Sequence, residues 1–304
     1  MPVPVIDNAP SPGFIKSEVR YVEPKDSKRA LGDEASKFDR VAVIVGYYEG
    51  DKHVAEQLQS IFSQSHDALH IFISDDQSTN KFTTDVHDFN PAQLSQLSVV
   101  NRSKNIGTAN NFLKSLAGLD HSFEYFAFSD QDDVWHEDKL EKALAAISGV
   151  PSDVPALYCG RTEISDETCT QTLGYSPVFS KPPSFANALV QNIGGGNTMV
   201  FNKAARDLIV ASSLDASVVY HDWWSYQIVS GAGGHIFYDP EPCLKYRQHK
   251  NNLVGSNMSW AARIYRIRML IKGQLRTWND TNLKALANCK HLLTEQNKLV
   301  LEDF

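Results

Sequence analysis

Two aspartates one residue apart, Asp130 and Asp132, directly follow an apolar segment that ends at Ser129. Carboxylates with this spacing at the end of a strand can both reach a divalent cation and the phosphates attached to it. Mg²⁺ and Mn²⁺ are hard cations that prefer such oxygen ligands. The same D-x-D pattern also occurs in turns, and Ser129 or Asp133 could instead cap the next helix. The tripeptide therefore predicts a metal site or a helix cap, and only its context can distinguish the two.

Two further side chains in the second half of the chain could act on a substrate. Asp222 either caps the helix that follows it or serves as a catalytic base that deprotonates a hydroxyl group. Its neighbour Trp223 could form a site wall that stacks on a sugar, whereas Trp224 is expected in the core. His249 lies in a polar segment beside Arg247, where it is either solvated or binds a diphosphate or a metal ion.

Two turn segments carry residues that suit close approach to a ligand. Gly195 and Gly196 lie in a glycine-rich turn, which is either a tight turn only or a place where an acceptor approaches the backbone. No Gly-Lys-Ser/Thr follows, so this turn is not a P-loop. Lys104 and Asn105 precede a predicted helix and form either a surface turn or a phosphate contact at a helix N-terminus.

An alternation of strands and helices must position these residues. The predicted strands of the first half are Val41–Val45, Leu69–Ser74, Leu97–Val100 and Glu124–Ser129, with amphipathic helices around residues 54–62, 109–116 and 140–147. This order predicts an α/β fold with a mostly parallel, Rossmann-like central sheet flanked by helices. Ligands of such sheets bind beyond the carboxyl ends of the strands. Three of the four predicted ends carry acidic groups, at Glu49, Asp75–Asp76 and Asp130–Asp133.

The second half has shorter predicted elements and a helical C-terminal extension. The expected strands are Ala156–Cys159, Thr198–Phe201 and His235–Tyr238, with helices over residues 203–213 and about 222–230. Residues 1–39 are rich in proline and predict an extended arm. Residues 261–276 combine an apolar stripe with basic side chains. They are either a helix packed on the catalytic domain or a surface that contacts anionic lipid.

Composition excludes several classes of protein. The chain has 304 residues and a formal net charge of −7, which argues against a nucleic-acid binder. Its four cysteines form no C-x-x-C pair, so no zinc ribbon or dithiol redox site is indicated, and scattered thiols are typical of a reducing compartment. No apolar run approaches the ~18 residues of a membrane span, and the N-terminus lacks a hydrophobic signal segment. We therefore expect a cytoplasmic protein, with peripheral contact at the inner face of the plasma membrane if residues 261–276 bind lipid.

Several segments, taken in order, resemble the inverting glycosyltransferases of family two, which have the GT-A fold. The segments that carry the resemblance are Val41–Asn80, Phe128–Leu140 and Asn192–Phe201, and those that are similar to the rhamnosyltransferase-like members are His221–Trp224 and Tyr246–His249. The resemblance implies a catalytic domain over residues 40–255, with a nucleotide-binding half to about residue 150 and an acceptor half after it. Residues 256–304 form the helical extension. The chain departs from the family pattern at Gly46, Tyr47 and Glu49.

The resemblance also implies a role for each matching residue. Donor binding is implied for Tyr48, Asp76, Lys104, Asn105 and Asp130, metal binding for Asp132 and His249, acceptor binding for Gly195, Gly196 and Trp223, and general-base catalysis for Asp222. The cofactor would be Mg²⁺ or Mn²⁺. The implied reaction transfers a sugar, best matched by L-rhamnose from dTDP-L-rhamnose, to a hydroxyl of a surface polysaccharide or lipid-linked glycan, with inversion of the anomeric centre. A sugar nucleotidyltransferase and a non-catalytic carbohydrate-binding or scaffold protein of the same fold remain alternatives.

Overall fold

The computed structural model describes residues 40–50, 52–84, 89–214, 216–249 and 274–304. The predicted arm over residues 1–39 lies outside these ranges, and so does most of the basic stretch 261–276. Across the described ranges, none of the helices is both long and apolar enough to cross a membrane.

One sheet contains the nine strands of the described residues. Its order is β3-β2-β1-β4-β8-β6-β9-β5, and β7 pairs with β6 outside this path. The strands are β1 Val41–Tyr47, β2 Leu69–Asp75, β3 Leu97–Asn101, β4 Tyr125–Ser129, β5 Val134–Trp135, β6 Ala156–Ser165, β7 Thr172–Tyr175, β8 Val200–Asn202 and β9 His235–Arg247.

The two halves of the sheet differ in strand direction. β1 runs parallel to β2 and β4, and β2 runs parallel to β3, as predicted for the first half. In the second half, β6 is parallel to β9, but β8 is antiparallel to both β4 and β6, and β5 is antiparallel to β9. The sheet as a whole is therefore mixed. β5 was not predicted because its two residues are too few to show a periodic pattern.

Helices cover both faces of the sheet. They are α1 Val54–Phe62, α2 Pro91–Ser95, α3 Thr108–Gly118, α4 Lys139–Ile147, α5 Phe185–Val190, α6 Lys203–Ser213, α7 His221–Gly231, α8 Gln274–Asn288 and α9 Glu295–Asp303. Side chains of α1 and α4 pack against Val41, Val43 and Val45 of β1. Those of α3, α6, α7 and α8 pack in a second core that includes Ala42 and Ile44. β1 is therefore buried on both faces, which explains its continuous apolar sequence.

The C-terminal helices pack on the segment that leads into α7. The amide side chain of Asn282 in α8 accepts a hydrogen bond from the Val219 backbone at 3.2 Å. The Trp278 ring contacts the Tyr220 ring edge to face, with 5.4 Å between centroids. Leu286 joins the second core. The C-terminal extension thus supports the N-terminal end of α7, where Asp222 lies.

We predict that Leu286→Ala lowers the free energy of unfolding by about 2–5 kcal/mol, because it removes buried methyl groups and leaves a cavity. Leu286 is 0% exposed, whereas Leu299 in α9 is 62% exposed. Leu299→Ala is therefore the matched control and should change stability by less than about 0.5 kcal/mol. Urea denaturation of the full chain measures both values. Equal values for the two variants would contradict a core role for α8.

Candidate functional site

The D-x-D segment forms the centre of a polar cluster at the carboxyl end of β4. Asp133 is fully buried, and its carboxylate accepts hydrogen bonds from the Asn197 side chain at 2.6 Å and from the Arg247 backbone at 3.4 Å. Asp133 does not cap a helix, because α4 begins only at Lys139 and Asp138 precedes it. The alternative of a simple helix cap at this position is therefore wrong.

The acidic groups of this cluster repel one another. Burial, followed by the nearby charges of Asp132 and Asp222, raises the pKa of Asp130 to about 7. Burial and the charge of Asp130 also raise the pKa of Asp133 well above its ordinary value. Four carboxylates from two distant parts of the chain thus act on one another. A bound cation would relieve this repulsion, so the charge distribution suits a metal ion.

A buried lysine partly compensates the acidic cluster. Lys139 is 0% exposed, donates a hydrogen bond to the Asn197 carbonyl at 2.5 Å, and lies over the Trp135 ring with Nζ 3.2 Å from its centroid. Burial lowers the pKa of Lys139 to about 7, although Asp133 and Asp130 act in the opposite direction. Sequence reasoning missed this residue. Its signal was a lysine within the buried stripe of α4.

Asp132 and His249 form the pair that could hold a metal ion. Their side chains are 19% and 12% exposed, and Asp132 Oδ2 lies 2.8 Å from His249 Nε2. In the described part of the chain, no group of three or more His, Cys, Asp or Glu side chains could hold a metal by itself. Mg²⁺ and Mn²⁺ commonly take one or two protein ligands and complete their shell with water and substrate phosphates. The residues therefore fit a cation that arrives with a phosphorylated substrate.

The guanidinium group of Arg247 connects the D-x-D segment to two other parts of the fold. It donates to the Asp132 carbonyl at 2.7 Å and to the Glu167 carbonyl at 2.5 Å, and it forms an ion pair with Glu56 of α1 at 2.5 Å. Its side chain is 2% exposed. Arg247 was considered as a neighbour that helps His249 to bind a diphosphate. The structure instead uses its guanidinium in these protein contacts.

Asp222 lies in the first turn of α7 and contacts the glycine-rich turn. Its carboxylate accepts hydrogen bonds from the Gly196 backbone at 3.1 Å and from the Trp223 backbone at 2.7 Å. Gly196 is required here, because a Cβ atom at this residue would lie 2.3 Å from Nε2 of His221. His221 is itself buried against the Phe112 ring, with 4.0 Å between centroids. Burial lowers the pKa of His221 to about 4, so its ring is neutral at pH 7.

Trp223 does not form the site wall that the sequence predicted. Its side chain is 6% exposed, and its indole N–H donates to the Ala188 carbonyl at 2.7 Å. Both Trp223 and Trp224 are buried because α7 is covered on nearly all sides. A helix buried all round has no polar face that would indicate which tryptophan faces a ligand. An acceptor sugar cannot stack on Trp223 in this conformation.

Three of the five residues predicted to bind the donor, Asp76, Lys104 and Asn105, lie in the loops after β2 and β3. The Asp76 carboxylate accepts hydrogen bonds from the Ile106 and Gly107 backbones, both at 2.9 Å. The Asn105 side chain donates to the Asp76 carbonyl at 3.1 Å, and Lys104 beside it is exposed. Asp76 therefore shapes the loop before α3. Each of its oxygens retains a lone pair that could accept a hydrogen bond from a ligand.

Gln131, the middle residue of D-x-D, links the two groups of predicted residues. Its side-chain amide accepts from the Tyr48 backbone N–H at 2.8 Å and donates to the Tyr48 carbonyl at 3.1 Å. The Tyr48 ring remains 52% exposed. Gly50 is needed for this contact, because a Cβ atom there would lie 2.2 Å from the Gln131 side chain. Sequence reasoning missed Gln131, since neither its type nor its spacing indicates a contact 83 residues away.

Comparison with known proteins assigns the chain to a family. Residues 42–210 match the family model described as Glycosyl transferase family 2. This range includes the D-x-D segment and the glycine-rich turn but ends before Asp222 and His249. The dTDP-rhamnosyl transferase RfbG of Shigella flexneri is 29% identical over 239 residues, which cover 73% of this chain and 78% of that protein.

Solved structures support the same fold. The mannosyltransferase PcManGT of Pyrobaculum calidifontis, in complex with GDP-Man and Mn²⁺, has a TM-score of 0.50 and 17% identity, over 88% of this chain and 79% of that chain. S. aureus TarS 1-349, in complex with UDP-GlcNAc, has a TM-score of 0.51 and 15% identity, over 76% of this chain and 65% of that chain. The family resemblance and the GT-A fold predicted from the sequence are confirmed.

We predict that Arg247→Met lowers the free energy of unfolding by about 1–3 kcal/mol, because two partly buried carbonyl groups lose the guanidinium that donates to them. The carbonyls are those of Asp132 and Glu167. Arg276→Met on the exposed face of α8 is the matched control, with an expected change of less than about 0.5 kcal/mol. Thermal and urea denaturation measure both variants. An Arg247→Met protein as stable as the control would show that this guanidinium does not hold the site together.

Proposed function

This chain belongs to glycosyl transferase family 2, and from that premise we propose that it transfers L-rhamnose from dTDP-L-rhamnose to a hydroxyl group of a glycan. Family membership makes it a glycosyltransferase that uses a nucleotide-sugar donor. The dTDP-rhamnosyl transferase among its relatives supports rhamnose as the sugar. The observation that carries the proposal is the convergence of Asp132 and His249 with Asp130 and Asp222 at the end of β4.

The donor would lie across the loops that follow β1, β2, β3 and β4. We assign base stacking to the exposed ring of Tyr48 and base recognition to Asp76, with Lys104 and Asn105 in the loop that Asp76 shapes. Asp130 would face the ribose. These residues belong to the proposed nucleotide-binding half, residues 40–150, and the proposed acceptor half extends from residue 151 to 255.

Asp132 and His249 would hold Mg²⁺ or Mn²⁺ together with the donor diphosphate. The bound cation would offset the negative charge of the leaving diphosphate as a Lewis acid. Asp132 is suited to this role because its side chain remains 19% exposed, so a ligand can reach it. Arg247 and Gln131 would keep the D-x-D backbone in place while the ligand binds.

Asp222 would act as the general base. Each of its carboxylate oxygens accepts one backbone N–H, from Gly196 or Trp223, and retains a lone pair for a proton. As Asp222 takes the proton of an acceptor hydroxyl, the acceptor oxygen would form a bond to the anomeric carbon. The bond from that carbon to the diphosphate would break, with inversion. Gly195 and Gly196 would leave room for the acceptor beside this carboxylate.

The acceptor would be a hydroxyl of a surface polysaccharide or of a lipid-linked glycan. A lipid-linked acceptor would bring the protein to a membrane surface, and the basic stretch 261–276 is the segment that we assign to such contact. The two alternative functions differ in their products. A nucleotidyltransferase would release pyrophosphate from a nucleoside triphosphate, and a binding protein would release no product.

We predict that Asp222→Asn lowers sugar transfer by about 10²–10⁴-fold, since the amide cannot accept the acceptor proton. Nucleotide binding should be unchanged, because Asp222 contacts the acceptor turn. The assay is the release of nucleoside diphosphate from dTDP-L-rhamnose and other nucleotide-sugars, with and without Mg²⁺. Asp153→Asn, at an exposed turn, serves as the control and should keep wild-type rates. Near-wild-type turnover of Asp222→Asn would disprove the base assignment.

We predict that a divalent cation is required for the nucleoside diphosphate to stabilise the protein. A ligand that binds only the folded state raises Tm. dTDP with Mn²⁺ should therefore raise Tm of the wild-type protein, and EDTA should remove this shift. Asp132→Ala should lose the Mn²⁺-dependent part of the shift, whereas Asp153→Asn should retain it. A full shift in Asp132→Ala would contradict the assignment of Asp132 as a metal ligand.

A further inference from the structure

His53 is a partly buried residue next to the proposed metal pair, and the mechanism above does not use it. It immediately precedes α1, at the N-cap position, but its side chain makes no capping hydrogen bond. Its ring packs against the His249 ring, with 5.3 Å between centroids and 32° between the ring planes. Within the described ranges, the His53 side chain contacts the His249 ring and forms no hydrogen bond.

His53 lies between an acidic side of the site, formed by the residues after β4, and a side formed by the start of α1. Asp130, Asp132 and Asp133 make one side acidic, and a cation would be held there. On the side of α1, Lys52 forms an ion pair with Glu167, and Lys52, Arg247 and Asp132 are all close enough to act on the charge of His53. The Arg247 guanidinium is used in contacts with Glu56 and two carbonyl groups. His53 therefore offers an imidazole N–H donor beside the acidic groups, at a place where both neighbouring cations are paired with glutamates.

We propose that His53 donates a hydrogen bond to the terminal phosphate of the bound nucleoside diphosphate. This inference rests on the proposed function, since it requires a nucleotide-sugar at Asp132 and His249. A neutral imidazole carries one N–H and can present it on either ring nitrogen, so it can adapt to a phosphate oxygen. The His53 ring contacts the His249 ring, and His249 Nε2 in turn lies 2.8 Å from Asp132 Oδ2. His53 is therefore next to the proposed metal pair.

The terminal phosphate is the group that gains charge during the proposed transfer. When the bond from the anomeric carbon to the diphosphate breaks, its electron pair stays on an oxygen of that phosphate. A hydrogen-bond donor aimed at this oxygen stabilises the leaving diphosphate more than it stabilises the intact nucleotide-sugar. His53 would therefore favour a nucleoside diphosphate over the corresponding monophosphate, which lacks this group.

The test compares two nucleotides by isothermal titration calorimetry of the full chain with Mn²⁺. One is the diphosphate that raises Tm of the wild-type protein most among dTDP, UDP and GDP, and the other is its monophosphate. His53→Ala should weaken binding of the diphosphate about 10-fold, as expected for a hydrogen bond to a charged group. Binding of the monophosphate should change less than about 2-fold, because it lacks the contacted phosphate. His53→Asn, which keeps an N–H donor, should recover part of the loss.

The exposed His121 provides the matched control. His121→Ala should leave both affinities unchanged, and an unchanged Tm of each variant without ligand would show that the fold is intact. Equal weakening of both nucleotides by His53→Ala, or no weakening of either, would overturn the assignment of His53 while the proposed function stands. A wild-type protein that binds none of the three diphosphates would overturn both proposals. If His53→Ala fails to fold, His53→Phe replaces it, because Phe keeps a ring but has no N–H donor and should weaken the diphosphate selectively in the same way.

Discussion

The mutual repulsion of buried and partly buried carboxylates at the end of β4 is the constraint on which the site depends. Asp130 and Asp133 are held in surroundings that raise the pKa of both groups. Such a cluster is stable only with compensating contacts, because an unpaired buried charge is costly. Lys139 and Asn197 supply part of this compensation from α4 and from the glycine-rich turn. These contacts do not compensate all of the negative charge, so the cluster suits a metal ion that arrives with a diphosphate.

The same contacts join the two halves of the sheet. Arg247 ends β9 in the mixed half of the sheet, yet its guanidinium binds the Asp132 carbonyl beyond β4 in the parallel half and Glu56 in α1. Gly196 connects the glycine-rich turn to Asp222 at the start of α7, and Asn197 of the same turn binds Asp133. The turn, α7 and the D-x-D segment are therefore joined by hydrogen bonds. In the proposed reaction, this arrangement would hold a leaving diphosphate and an attacking hydroxyl at once.

Much of the fold could be predicted because its signals are local. A continuous apolar run such as Val41–Val45 indicates a strand buried on both faces, and the acidic residues after the strands indicate the edge where they meet. Trp223 was assigned wrongly because α7 is buried all round and has no distinct polar face. β5 and the contacts of Gln131 were missed for a different reason. Both depend on partners far away in the chain, and the sequence of a short segment does not indicate which distant residues it will contact.

Residue types and their spacing over a few positions were enough to predict the α/β class, the family, and the residues that suit a metal, a base and a nucleotide. The burial of Asp133, the protein contacts of Arg247 and the packing of His53 against His249 could be seen only in the folded chain. Burial and electrostatic environment arise from segments that are distant in the sequence and that folding brings together. A carboxylate or an imidazole has the same type in every sequence, but its neighbours in space define its chemistry.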